Sequence, residues 1–203
     1  AASDVYKRQE LDSGIAIGEV TLLQNEQKIK ADRLEYVKDS KSRAVSYRAI
    51  GNVEIIDSVR TAICGIASYD AKNEEIILNH KPRITSEDRI IKGDQIKLNY
   101  SDEVLERIFI PKNAFITSAS VGYNQLNIDS SNTLISFEDR MSSKVLNGFF
   151  MNGSLDSLRL IGMASTTYHL FEDSLYKGKN LASGDTIITV SYTHLRAHET
   201  PLH

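Results

Sequence analysis

Residues 50–78 read I-G-N-V-E-I-I-D-S-V-R-T-A-I-C-G-I-A-S-Y-D-A-K-N-E-E-I-I-L, an alternation of apolar stretches and short polar breaks. A related stretch, I-G-E-V-T-L, occupies residues 17–22, so that Gly18 precedes Gly51 by 33 positions. Recurrence at a period of a few tens of residues is typical of folds built from repeated structural units. This segment therefore predicts a fold made of recurring units of short strands.

Small residues mark a second feature of the same units. Ala31, Cys64 and Gly93 are each followed, three and five positions later, by apolar or aromatic residues. Because alternate residues of a strand face opposite sides, a spacing of three changes the side that the apolar residues face. A bulge or sharp bend produces such a change. We therefore expect a bend beside each small residue and beside Gly184, and we expect both Gly93 and Gly184 to exclude a side chain.

The second half of the chain repeats an apolar pattern at a longer interval. The spacing of the apolar residues in 105–114 recurs 50 positions later in 155–164. The longer interval predicts an additional hairpin between Phe115 and Met141, with its turn at residues 130–132. Asn152 and Gly153 predict another tight hairpin, because both central positions of a type I′ turn require positive φ.

The composition is that of a folded domain without a strong bulk charge. The chain has 203 residues, of which 41% are hydrophobic and 25% charged, with a net charge of −3 and a pI near 6.0. These values exclude a disordered chain and do not favour binding to nucleic acid. No apolar run approaches the ~18 residues of a membrane-spanning helix. The one cysteine, Cys64, excludes an intrachain disulfide, and we expect it to be a buried apolar residue.

The two ends of the chain match none of the units. Residues 1–9 and 191–203 resemble translated sequencing-adapter read-through, so we expect residues 10–190 to form the domain and the ends to be tails. The C-terminal tail contains a histidine-rich pattern that lacks the H-E-x-x-H arrangement of zinc proteases. Its members are His194, His198, Glu199 and His203. We therefore predict no metal site and no cofactor.

Few residues of the remaining chain suit catalysis. His80 and His169 are the histidines outside the C-terminal tail, and neither lies in a nucleophile motif. We expect both to be exposed at strand ends. Asp94 directly follows Gly93, and Asp185 directly follows Gly184. Paired carboxylates can carry acid–base chemistry. Their recurrence in the units favours a structural role at a turn or bulge, so we predict no catalytic residue and no enzymatic activity.

A mildly basic cluster has two interpretations. It consists of Lys38, Lys41, Arg43 and Arg48, around a predicted turn. A solvated turn explains the cluster, and contact with anionic head-group phosphates is the functional alternative.

Three units carry a resemblance to a known family. The segments I-G-E-V…K-A-D-R-L-E-Y, I-G-N-V…C-G-I-A-S-Y and K-G-D-Q-I-K-L-N-Y…I-P-K-N-A-F-I resemble the OstA-like domain. This family contains LptA-type lipopolysaccharide-transport proteins and the N-terminal domain of LptD. The resemblance covers roughly residues 15–190. It implies an open-sided β-jellyroll whose apolar interior carries lipid acyl chains, end-to-end stacking with homologous OstA-like jellyrolls, and a periplasmic location.

We therefore predict an all-β fold, a repeat-built antiparallel β-roll or jellyroll that is open on one side. The candidate lipid groove consists of apolar residues that share the inward face of the predicted strands. They are Val20, Leu22, Leu34, Val53, Ile55, Ile66, Ile96, Leu98, Ile108 and Ile110. Polar residues alternate with them and are expected to face outward. These are Glu19, Thr21, Glu54, Lys97 and Arg107.

The predicted function is non-enzymatic binding and transfer of lipopolysaccharide during outer-membrane assembly. Two alternatives stay open at the level of sequence. A β-solenoid scaffold or adhesin without a ligand would need parallel, coil-stacked strands, whereas the polar turns within each unit favour antiparallel hairpins. A β-helix carbohydrate-active enzyme would need carboxylates clustered on one face, and no such set is identifiable.

Overall fold

The computed structural model describes residues 13–24, 27–38, 45–124, 133–152 and 154–190. Both predicted tails, the tail histidines and the predicted turn at 130–132 lie outside these ranges. Within them every regular element is a strand, and no helix is long and apolar enough to span a membrane. The strands are β1 (Ser13–Gln24), β2 (Gln27–Lys38), β3 (Val45–Ile56), β4 (Arg60–Asp70), β5 (Glu75–Asn79), β6 (Arg83–Ser86), β7 (Arg89–Lys92), β8 (Gln95–Ser101), β9 (Val104–Ile110), β10 (Ala114–Asn124), β11 (Thr133–Ser143), β12 (Val145–Met151), β13 (Ser154–Glu172) and β14 (Leu175–Val190).

The described strands form one sheet that folds over on itself. The order of neighbouring strands is β1-β2-β3-β4-β5-β8-β9-β12-β13-β11-β10-β7-β6, with a further pairing of β4 with β6 and of β14 with β13. Two layers result, layer A with β5, β8, β9 and β12, and layer B with β6, β7, β10 and β11. The longer strands contribute to both layers: residues 66–70 of β4 pair with β5, and residues 60–63 pair with β6. The fold is thus all-β, an open antiparallel roll of the jellyroll type, as predicted.

Bulges lie where the long strands pass from one layer to the other. The strand register shifts between Lys30 and Arg33 in β2, and β4 changes partner on either side of Cys64, so both bends lie where the sequence predicts them. In β3 the shift falls between Ile50 and Val53. Gly51 has a φ of 77° there, a left-handed conformation that glycine adopts readily.

Aspartate and asparagine side chains connect neighbouring bends. The amide nitrogen of Asn52 donates a hydrogen bond of 2.9 Å to Asp32. In the same way, the amide nitrogen of Asn113 donates to both carboxylate oxygens of Asp94 at 3.0 Å, and the Asp94 backbone N–H donates to Lys112 at 3.1 Å. Asp94 thus has a structural role, as predicted, in the short connection between β7 and β8.

The core fills the space between the layers next to these bends. Its fully buried large side chains come from both layers: they are Ile29, Val53, Leu78, Ile96, Ile110, Leu146 and Leu160. Cys64 is also buried, as predicted, and burial raises the pKa of its thiol to about 11. The side of the roll that carries the bends is therefore closed and tightly packed.

The predicted additional hairpin is present as β10 and β11, and it helps to close a small ring of strands. β10 pairs with β11, β11 with β13, and β13 with β14, while β14 returns to β10 through the pair Tyr123–Leu175. Aromatic side chains fill the interior of this ring of strands. Phe137 stacks on His169 and on Tyr176, with 4.4 Å and 4.5 Å between the ring centroids.

A buried polar network joins three strands of this ring. Asp139 accepts a hydrogen bond from the Ser120 hydroxyl, and its Oδ1 lies 2.7 Å from both Nδ1 and the backbone nitrogen of His169. The expectation of an exposed His169 is wrong, since only 11% of its side chain is accessible. The added hairpin covers this histidine with a carboxylate and the ring of Phe137. Burial alone would raise the pKa of Asp139, but these hydrogen bonds together hold it below its ordinary value.

The glycine expectations have different outcomes. A β-carbon at Gly93 would collide with the side chain of Ile110, so this position excludes a side chain. At Gly184 the nearest atom is the Thr186 carbonyl oxygen at 3.9 Å, and the residue is exposed in β14. The expectation that Gly184 excludes a side chain is therefore wrong, because nothing packs against it. The expected irregularity is present, since the register of β13 and β14 shifts beside the pair Ala164–Gly184.

We predict that Gly93→Val lowers the free energy of unfolding by about 1–3 kcal/mol, the usual cost of overpacking a core. Gly184→Val is the matched control and should change it by less than about 0.5 kcal/mol. Denaturant melts of the two variants and the wild type measure both values. Equal losses in the two variants would contradict the assignment of Gly93 to a close contact.

A second prediction concerns the Asp139 network. Because the folded pKa of Asp139 lies below the ordinary value of 3.8, the carboxylate stabilises the fold above that pH. This contribution disappears as the pH falls through the lower folded pKa. Asp139→Asn should therefore cost about 1–3 kcal/mol at pH 7, and the difference from wild type should shrink below a pH of about 3.8.

Denaturant melts between pH 3 and pH 7 follow this difference. Glu138→Gln is the control, because Glu138 is exposed and its ion pair with Arg140, at 2.6 Å, is exposed as well. A deficit of Asp139→Asn that stays constant with pH would show that the negative charge is not what stabilises this ring.

Candidate functional site

The two layers separate along the side opposite the bends. There the β3–β4 turn of layer B faces the β4–β5 turn of layer A, and a cavity of about 150 Å³ lies between the layers. We call it the groove cavity. Most of its lining is apolar and comes from both layers, namely Ile55, Ala62, Ile76, Leu78, Ile84, Ile91, Leu98, Leu105, Ile108 and Phe150.

A larger and more polar cavity of about 510 Å³ adjoins the groove cavity. We call it the mouth. The two cavities share the lining residues Gln27, Asp57, Arg60, Ile76 and Tyr100. The apolar space between the layers therefore opens towards solvent through a polar vestibule, the arrangement that suits a ligand with an apolar and a polar end.

Three tyrosines form the layer A wall of the mouth. Tyr47 and Tyr69 are cross-strand neighbours whose ring centroids lie 5.4 Å apart, and Tyr100 belongs to β8. Burial raises the pKa of all three phenols. The second cause for Tyr47 is the nearby Tyr69, and for Tyr69 it is the carboxylate of Glu74. The mouth therefore keeps these phenols in their neutral, hydrogen-bonding form.

The charged residues that line the mouth lie in or beside the turns at its rim. Asp57 accepts hydrogen bonds from the backbone nitrogens of Val59 at 2.9 Å and Arg60 at 2.7 Å, and from Arg60 Nε at 3.2 Å. Arg60 is thus tied to a carboxylate by the local turn. Glu74 and Glu103 also line the mouth. Among the described residues, the lining of the mouth thus includes one guanidinium and three carboxylates.

The structure distributes the ten predicted groove residues over four places. Ile55, Leu98 and Ile108 line the groove cavity. Leu34, Val53, Ile96 and Ile110 are buried in the packed core beside the bends. Val20 and Leu22 are half-buried on β1, packed against that core. Ile66 is half-buried between the core residues Cys64 and Ala67, where β4 changes the side that it presents to the interior.

The outward residues take part in contacts on the outer faces. Glu54 forms an ion pair with Lys30, with 2.6 Å between Nζ and Oε2. The guanidinium of Arg107 donates a 3.2 Å hydrogen bond from Nε to Asn147 and lies 5.2 Å from the ring centroid of Phe109. Inward apolar and outward polar residues therefore alternate as predicted at these positions.

The sequence did not identify the tyrosines and several apolar residues of the site. Ile76, Leu78, Ile84, Ile91 and Phe150 line the groove cavity beside the predicted residues. The alternation in E-I-I-L could have indicated Ile76 and Leu78. Their position at the open side depends on the pairing of distant strands, which local alternation does not specify.

The structure gives little support to the two alternatives. Ser120 donates to Asp139 and not to His169, so this network lacks the nucleophile–base contact of a hydrolase triad. Within the part of the chain that the structure describes, no cluster of histidine, cysteine and carboxylate side chains could hold a metal ion. The strand pairs there are antiparallel except the single pair Tyr123–Leu175, whereas a solenoid stacks parallel strands.

The basic cluster is only partly described. Lys38 is half-buried at the end of β2, and Arg48 is exposed on β3. Lys41 and Arg43 lie outside the described residues, so the two interpretations of this cluster stay as predictions.

Comparison with known proteins identifies the family. Residues 2–104 match the family model described as LptA/(LptD N-terminal domain) LPS transport protein. No curated protein matches the chain. The matched segment spans half of the chain and includes every residue that lines the mouth. The chain therefore belongs to the family of LptA and LptD N-terminal-domain LPS transport proteins.

Proposed function

We propose that this protein binds lipopolysaccharide through its acyl chains and passes it on across the periplasm during outer-membrane assembly. The observation that carries the proposal is the open side of the roll, where an apolar cavity between the layers meets a polar mouth. Membership in a family of LPS transport proteins supports the choice of ligand. Neither observation requires a reaction, and the proposed activity is non-enzymatic.

The size of the groove cavity implies that the layers move on binding. A cavity of about 150 Å³ is of the size that accommodates a benzene-sized group in an engineered protein. A longer acyl chain therefore needs more room between the apolar faces of the layers than the groove cavity provides. The packed bends hold the layers together on the closed side, so the additional room arises by separation of the layers at the open side.

The energetics suit a carrier that releases its cargo. Burying a twelve-carbon chain at ~0.8 kcal/mol per methylene contributes roughly 9 kcal/mol before the costs of association and of ordering the chain. Those costs, together with the separation of the layers, reduce the net affinity to the micromolar range or weaker. Binding of this strength is reversible on the time scale that transfer requires.

The end strands suit contact with further jellyrolls. Within the described residues β1 pairs only with β2, and the edge of β14 that faces away from β13 pairs only at Leu175. Ile15 and Ile17 on β1 are exposed, as are Ile188 and Val190 on β14. Unpaired strand edges with apolar side chains pair readily with other strands. We propose that homologous OstA-like jellyrolls stack on these ends and extend the groove.

The acyl-chain site predicts which positions contact lipid. A photocrosslinking residue in place of Ile55 or Leu98 should capture lipopolysaccharide, because both side chains line the groove cavity. The matched controls are the adjacent positions Glu54 and Lys97, whose side chains point to the outer faces. Crosslinked adducts are measured by gel electrophoresis after irradiation of each variant with lipopolysaccharide.

Circular dichroism of the four variants confirms that each one is folded before irradiation. Capture at Glu54 and Lys97 equal to that at Ile55 and Leu98 would exclude a groove between the layers. The absence of capture at every position would reject lipid binding by this chain.

A further inference from the structure

Two cations lie directly opposite each other on the outer face of layer B. Arg83 on β6 is the cross-strand partner of Lys92 on β7. The residues next to them, Ile84 and Ile91, line the groove cavity, so the alternation of a strand directs both cations to the outside of the roll. Like charges at directly opposite positions of a sheet are destabilising. This pair therefore destabilises the hairpin unless an anion neutralises it.

The fold itself does not supply that anion. Within the part of the chain that the structure describes, neither side chain forms an ion pair or a hydrogen bond. The Nε atom of Arg83 is buried without an acceptor, whereas buried polar atoms are normally hydrogen-bonded. The side chain of Lys92 is exposed. The positive charges of this pair are therefore available to a ligand that arrives from solvent.

The described carboxylates closest to the pair along the sheet and the chain are engaged elsewhere or distant. Glu54 lies two strands away and forms its ion pair with Lys30 at 2.6 Å. Asp94 follows β7 and pairs with Lys112 at 3.5 Å. The carboxylates of residues 87–88, at the hairpin tip, are roughly 13 Å along the strands from the pair at ~3.3 Å per residue. That distance exceeds the screening length of ~8 Å at physiological ionic strength.

The charge and the neighbours of the pair indicate which anion fits. A phosphate monoester carries a charge of about −1.5 to −2 at pH 7 and three acceptor oxygens, so that one group neutralises both cations. Ile63 is the cross-strand neighbour of Arg83, and Phe115 is that of Lys92. Ile63 is 45% exposed. Apolar side chains thus flank the cations on both sides, where the organic part of an ester would lie.

We propose that Arg83 and Lys92 form a binding site for a phosphate monoester on the outer face of layer B. The site and the groove cavity lie on opposite faces of β6 and β7, so that phosphate binding does not depend on the acyl-chain site. A free phosphorylated compound and the head group of a membrane lipid both carry this group. The chemistry of recognition is the same for the two sources.

Titration calorimetry with inorganic phosphate, at an ionic strength held constant with sodium chloride, tests the site. Wild type should bind phosphate saturably. Arg83→Gln and Lys92→Gln should each weaken binding about ten- to a hundredfold, the value of one hydrogen bond to a charged group. Lys97→Gln is the matched control, because Lys97 lies between Ile77 and Phe109 on layer A without a cation opposite. It should leave the affinity unchanged.

Melting temperatures give a second readout that does not depend on the heat of binding. Because Lys92 is exposed, Lys92→Gln should fold normally. In low salt without phosphate it should melt no lower than wild type, since one of two repelling charges is removed. Added phosphate should raise the melting temperature of wild type more than that of the variant. A variant that melts lower without phosphate would show that the fold already stabilises this charge.

Flotation with vesicles of equal parts phosphatidylcholine and phosphatidic acid, whose head group is a phosphate monoester, distinguishes the two sources. Vesicle binding that Lys92→Gln abolishes assigns the site to a lipid head group. Binding of inorganic phosphate alone assigns it to a free phosphorylated compound. Failure of wild type to bind either probe, or undiminished binding by both glutamine variants, would overturn the site. Capture of lipopolysaccharide at Ile55 tests the groove separately, so the two proposals fail independently.

Discussion

The structure depends on the bends at which long strands pass from one layer of the roll to the other. A strand that continued its regular alternation through such a bend would present its apolar residues to solvent in the second layer. The change of phase between Ala31 and Leu34, and between Cys64 and Ala67, keeps the apolar side chains inward in both layers. The same bends join the layers along one side only and leave the other side open.

This difference between the two sides determines where the protein can function. Next to the bends the interior is filled by its own side chains, including Ile96 and Ile110, which are inaccessible to solvent. Free volume is found at the open side, where the groove cavity meets the mouth. The packed side thus supplies the stability of the fold, and the open side supplies the space for a ligand. A carrier needs both, because it must stay folded while it takes up and releases lipid.

The sequence was informative where the signal is local. The bends beside Ala31 and Cys64 and the additional hairpin of β10 and β11 follow from spacing, since the faces of a strand alternate with a fixed period. Pairings between distant strands have no such signal. The burial of His169 depends on Asp139 from another strand, and the room around Gly184 depends on the edge position of β14. For the same reason, the spacing of apolar residues in the sequence predicted Ile96 as a groove residue, although Ile96 packs in the core.

The central claim is that lipid enters by separating the layers at the open side. Spin labels at Ser58 and Lys72, in the β3–β4 and β4–β5 turns, measure this separation directly in a Cys64→Ala background. Labels at Lys81 and Lys112, beside bends on the closed side, are the reference pair. The account predicts that saturating lipopolysaccharide lengthens the Ser58–Lys72 distance and leaves the Lys81–Lys112 distance unchanged. Saturable binding with an unchanged Ser58–Lys72 distance would contradict it.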